Sequence, residues 1–137
     1  MANHVYPNGK KYLIDNADVW GSDDCCLSLM TSGYTYSRTH TSMSPVVGHR
    51  LTNGKSGILQ NTVVTYDENN DRCIFESDEI EISGVSSGQT IISVVLHTYH
   101  ASDPAQEVPL AFFDGFNITT DGGNITVTCP NNEWFYI

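Results

Sequence analysis

From Cys25 onward, hydrophobic positions fall into short runs with a period of two, separated by polar turns. Cys25, Leu27 and Leu29 alternate with Cys26, Ser28 and Met30, the pattern of a half-buried strand. Leu59, Asn61, Val63 and Thr65 alternate with Thr62, Val64 and Tyr66, and a polar turn over residues 67–71 leads into Cys73, Ile74 and Phe75, which predicts a hairpin. Ile80 and Ile82 alternate with Glu79 and Glu81, a short strand with an acidic outer side. Residues 90–99 hold the nearly continuous run Ile91, Ile92, Val94, Val95 and Leu96, which fits a central strand covered on both faces. Residues 110–113, 125–128 and 134–137 supply three more strands, with Asp121, Gly122 and Gly123 as a tight turn. Ile92, Val94, Leu96, Leu110, Phe112, Ile125 and Val127 are the expected core.

Upstream the pattern weakens. Pro7 suits the first turn of a helix that residues 10–16 continue, but Val5, Tyr12, Leu13 and Ile14 make an incomplete apolar stripe. Residues 1–20 therefore read as an N-terminal arm or short helix, and residues 21–137 as a single β-sandwich domain. Seven or eight short strands without a long helix predict an all-β fold, an antiparallel β-sandwich or jelly-roll-like barrel. Residues 31–48 are long for a structureless connection and read as a packed surface loop.

Composition narrows the function. The 137 residues suit one domain, and the formal net charge is −10. So few cations argue against nucleic-acid binding, and no apolar run is long enough to span a membrane. The N-terminus lacks a basic head followed by an apolar stretch, so no signal peptide is expected and synthesis in a cytoplasm is. The charge is unevenly spread. Up to Arg72 there are six basic and seven acidic residues, and from Cys73 onward nine acidic and none basic. Such asymmetry suggests one region facing solvent and another meeting a partner.

The apparent motifs are weak. Gly54, Lys55 and Ser56 resemble the end of a phosphate-binding loop, but position 49 is His rather than Gly. Asp67, Asn69 and Asp71 have calcium-loop spacing, yet Arg72 stands where glycine is needed, so a hairpin turn is expected. His97 and His100 are three apart on a strand, hence on opposite faces, and a metal there would need His40 or His49 from another loop. Cys25 and Cys26 likewise point to opposite faces, and the four thiols are expected reduced and buried. No Gly-x-Ser-x-Gly elbow is present. The reading is a protein without catalytic residues, cofactor or metal.

The order of segments carries a resemblance. Residues 24–36 (DCCLSLMTSGYTY) are followed by Thr39-His40-Thr41-Ser42-Met43, Val46-Val47-Gly48, Leu59-x-Asn61-x-Val63-x-x-Tyr66-Asp67, and Phe75-Glu76-Ser77-Asp78-Glu79-Ile80. Later come residues 95–99, Pro109-Leu110-Ala111-Phe112-Phe113-Asp114, Asp121-Gly122-Gly123-Asn124-Ile125-Thr126-Val127 and a terminal aromatic strand. From about Asp18 onward this succession resembles small virion structural proteins of tailed bacteriophages, of the head-decoration or tail-fibre type. The resemblance implies a virion component on the outer capsid surface, with the major capsid protein and other copies of itself, as a homo-trimer, for partners. A capsid decoration (cement) protein is expected, because the chain has no repetitive shaft or coiled coil to carry a fibre tip. A tail or fibre module binding a host-surface ligand is the alternative. Lys10, Lys11, Tyr34, Tyr36, Arg38, Arg50 and Lys55 are the candidate partner interface, since the basic residues cluster there and loop tyrosines anchor interfaces well.

Overall fold

The computed structural model describes residues 3–16, 20 and 24–137. Twelve strands and one helix follow in chain order: β1 (His4–Val5), α1 (Pro7–Asp15), β2 (Cys25–Met30), β3 (Arg50–Lys55), β4 (Val63–Asp67), β5 (Arg72–Glu76), β6 (Ile80–Ile82), β7 (Thr90–Ile91), β8 (Ser93–Thr98), β9 (Pro109–Phe113), β10 (Ile118–Thr119), β11 (Ile125–Val127) and β12 (Phe135–Tyr136). All strand pairs are antiparallel. The fold is all-β, built as a sandwich-like stack and not as a closed barrel. The expected division between residues 20 and 21 abuts residues 21–23, outside the described residues, as does Asp18, where the resemblance begins.

One layer is a five-stranded sheet in the order β1-β9-β8-β2-β3, so β8 is central as its apolar run requires. The other layer consists of three small sheets, β10-β7, β11-β6 and β12-β5-β4. The main core lies between the layers. Cys25, Leu27, Leu29, Val94, Leu96, Ala111 and Phe113 come from the large sheet, Phe75, Ile82 and Phe135 from the small ones, and Trp134 from the bend just before β12. Trp20 closes this core edge-on to Phe75 and Phe135, with Nε1 donating to the carbonyls of Val63 at 3.0 Å and Glu76 at 3.2 Å.

Several expectations need correction. The 90–99 run is not one strand. It breaks at the half-buried Ile92, whose N–H bonds the Met30 carbonyl, so that β7 joins the small layer and β8 the large one. β2 is buried on both faces rather than half-buried. The reason is the 31–49 loop, which folds back over the outer face of the large sheet and seats Tyr34, Met43 and Val46 on Met30, Val95 and Phe112. Among the expected core residues, Val94, Leu96, Leu110 and Phe112 are buried, whereas Ile92, Ile125 and Val127 are only half-buried. Cys73 is exposed on β5, although the other three cysteines are buried and all four are free thiols.

The N-terminal segment forms β1 and α1, both laid on β9. Helix α1 approaches so closely that a Cβ at Gly9 would lie 2.5 Å from the Pro109 carbonyl oxygen. The Asp67–Asp71 segment is the β4–β5 turn, with Asp71 in the left-handed region at φ 51° and the Asp67 carboxylate bonded to Arg72 Nε at 3.0 Å. That carboxylate is committed to the turn. Gly54 and Lys55 end β3, and Ser56 Oγ accepts from the Leu27 N–H at 2.8 Å.

Candidate functional site

The outer face of the large sheet gathers most of the chemistry. Alternation along β2 and β8 turns Cys26, Ser28 and His97 to this face, and the loop before β9 brings Glu107 over them. All four are buried. His97 Nδ1 is 2.7 Å from the Thr98 carbonyl oxygen, an acceptor only, so Nδ1 carries the proton. Nε2 then accepts from the Ser28 hydroxyl at 2.7 Å, and Ser28 Oγ accepts in turn from Arg50 Nη1 at 3.4 Å. Burial lowers the His97 pKa to about 4, against the pull of Glu107, whose Oε2 lies 3.7 Å from Nδ1. Burial pushes the Cys26 thiol up, and Glu107 adds to that.

Serine, histidine and carboxylate stand here in the sequence of a nucleophile, its base and an orienting acid. Ser28 and His97 have no exposed surface, and the Nδ1 proton is committed to a backbone carbonyl. Cys26, His97 and Glu107 each bring one possible ligand atom within 4.8 Å of the others, with Cys26 Sγ 3.6 Å from both ring nitrogens. Neither His40 nor His49 joins His97. His40 instead bonds the Tyr34 hydroxyl at 3.0 Å.

Glu107 Oε2 receives Lys55 Nζ at 2.7 Å and the His100 N–H at 3.0 Å, and Nζ also donates to the His100 carbonyl at 2.8 Å. Lys55 lies over the Tyr99 ring, 4.6 Å from its centroid. The network ties β3, β8 and the 99–108 loop together. Sequence periodicity missed it because its members come from four distant segments; the available signal was polar residues within strongly apolar strands, Ser28 and His97.

The seven sequence-predicted interface residues separate by role. Tyr34 is buried, its hydroxyl 2.5 Å from that of Tyr6, and burial raises the pKa of both phenols. Lys55 is the partner of Glu107 rather than a free cation, and Arg50 reaches inward to Ser28. Tyr36 and Arg38 share a surface cleft with His4 and Pro7, where the His4 and Tyr36 rings stack with centroids 4.1 Å apart. Lys10 and Lys11 are exposed on α1, and Lys11 pairs with Asp15. Tyr34, Tyr36, Arg38, Arg50 and Lys55 thus belong to one face of the large sheet, with the two lysines on the helix beside β9.

The opposite layer differs in sign. It carries Glu76, Asp78, Glu79, Glu81, Asp121 and Glu133. Its cation, Arg72, is bound to Asp67 and is 3.5 Å from Glu133. No family model, curated protein or solved structure matches the chain.

Proposed function

We propose that the chain is a non-enzymatic virion structural protein, a capsid decoration protein that bridges and stabilises major capsid proteins on the head surface. The observation that carries this reading is the division of charge between the two layers. The loop-covered face of the large sheet offers the exposed Arg38 and stacked aromatic rings, with Lys10 and Lys11 exposed on the helix beside it, while the small-sheet layer is acidic. A protein bound by its cationic face leaves an anionic surface outward, where like charge keeps particles apart. The order of segments, which resembles small tailed-phage virion proteins, agrees with that use. The sealed Ser28–His97 pair has the role of a structural pin.

The exposed, unpaired part of the face is the His4, Tyr36 and Arg38 cleft, which makes it the proposed centre of the capsid contact. Purified chain added to heads lacking it should bind to saturation. Arg38→Glu should bind more slowly and lose the salt sensitivity of the wild type, because charges at an interface rim act mainly on encounter. Heads that fail to take up the wild-type chain, or an Arg38→Glu, Tyr36→Ser variant that binds as well as wild type, would reject the reading.

A further inference from the structure

An apolar cleft opens between the two layers. Leu29, Val94, Phe113 and Trp134 form its floor, and Phe116 and Ile118 stand at its mouth with 36% and 52% of their surfaces exposed. Its volume of about 210 Å³ exceeds the ~150 Å³ of an apolar cavity that stays dry and admits a benzene-sized guest. Leaving such a space to water forfeits dispersion contacts along the whole lining. An aliphatic side chain from outside fits it better than solvent does.

The surroundings select the guest. Every lining residue except Leu29 comes from residues 91–134, and the chain has no Lys or Arg beyond Arg72. Glu81, opposite Thr126 in the β6–β11 pair, and Asp114 and Asp121 in the adjoining loops are all exposed. A complementary segment is therefore an exposed aliphatic residue beside cations. This chain carries one. Ile14 is 71% exposed on α1, one helical turn after the exposed Lys10; Lys11 alongside is paired with Asp15, so Lys10 carries the net positive charge of that turn. The other large apolar projection, Val63, Val64 and Tyr66 on β4, ends in a turn bearing Asp67, Glu68 and Asp71, whose charge opposes the cleft.

We propose that helix α1 of one copy docks on the cleft of the next, with Ile14 inserted between Phe116 and Ile118 and the lysines against the acidic margin. Helix and cleft are different patches, reached from opposite ends of β9, so each contact joins the helix of one copy to the cleft of another, made reciprocally in a two-fold dimer or head to tail in a ring. This identifies a self-contact within the assembly role proposed above, but the contact itself is tested on the isolated chain, without heads.

The experiment measures mass by light scattering and sedimentation for the wild type, Ile14→Asp and Ile118→Asp, with circular dichroism to confirm folding. Both sites are exposed, so both variants should fold. The wild type should have the mass of two or more chains, and each variant alone should be a monomer. Mixed one to one, they should give a two-chain complex, because one retains an intact cleft and the other an intact helix. Lys10→Glu with Lys11→Glu should weaken association about tenfold at low salt and much less at high salt. A monomeric wild type, or an Ile14→Asp variant that assembles like the wild type, would overturn the proposal. A wild-type monomer stabilised by dissolved benzene would also overturn it, marking the cleft as a small-ligand site. Failure of head binding alongside successful assembly would reject only the capsid role.

Discussion

His97 shows how much one buried side chain can make stability depend on pH. In the folded chain its imidazole is neutral, with both nitrogens hydrogen-bonded and its pKa near 4. In the unfolded chain it titrates near 6.5. Between those values the unfolded state binds the extra proton, so its contribution is fully present above pH 6.5 and is lost as pH falls toward 4. The groups facing it are Glu107, which attracts the proton, and Lys55 and Arg50, which repel it. The slope is about 1.4 kcal/mol per pH unit, or roughly 2 kcal/mol between pH 7 and pH 5. Urea unfolding at the two pH values should show that loss in the wild type and a flatter dependence in His97→Gln; equal slopes would mean that His97 is not buried neutral. Ser93 tests the opposite situation. Its Oγ is buried on the same strand and has no hydrogen-bond partner among the described residues. A buried hydroxyl without a partner costs about 1–3 kcal/mol, so Ser93→Ala should stabilise the fold by about 1 kcal/mol, read as a higher denaturant midpoint at unchanged m-value.

Among the elements, α1 sets two local rules against each other at Gly9. Alanine is better than glycine inside a helix by about 1 kcal/mol. A Cβ at this position, however, would lie 2.5 Å from the Pro109 carbonyl oxygen and 2.9 Å from Leu110 Cα, both backbone atoms that cannot move aside alone. Overpacking costs about 1–3 kcal/mol, so Gly9→Ala should lower the melting temperature despite its helix propensity. Lys55 gives the second test at this scale. Its ammonium group is largely covered and pairs with the buried Glu107, so Lys55→Met should destabilise by about 2–3 kcal/mol, more than loss of a surface ion pair would. Both effects lie where the sequence was least legible. Period-two alternation located β2, β4, β5, β6, β8, β9 and β11, and Pro7 with the following residues located α1, because those signals are local. The covering of β2 on its second face, the break at Ile92 and the convergence of Cys26, His97, Glu107 and Lys55 depend on where the 31–49 and 99–108 loops lie. Nothing within those segments encodes that placement.

For the molecule as a whole, charge counts foretold an uneven distribution along the chain, and folding turns it into a difference between two layers. Arg72, the last cation in sequence, is held by Asp67 and Glu133, so it offsets little of the acidic layer. Two surfaces of opposite character predict two separable kinds of binding. Arg38 lies in the cleft with Tyr36 and His4, and none of these residues lines the apolar cleft of the other layer. Glu79 and Glu81 are exposed on the acidic layer, and Glu81 Oε1 accepts from the Asn124 side chain at 2.9 Å. Replacing Glu79 and Glu81 with lysine should therefore leave the initial affinity for bare heads unchanged, since those side chains face away from the proposed capsid contact. The same replacement brings like charge toward Lys10 and Lys11 of a neighbouring copy, so it should weaken contact between copies. On heads, where copies bind side by side, the wild-type isotherm should be cooperative. The Glu79→Lys, Glu81→Lys variant should follow a simple hyperbola with the same limiting slope at low occupancy, and Arg38→Glu should lower that slope while keeping the cooperative shape. Occupancy measured against free concentration at low salt distinguishes the two. A lysine variant with reduced low-occupancy affinity would put the capsid contact on the acidic layer and reverse the orientation argued here.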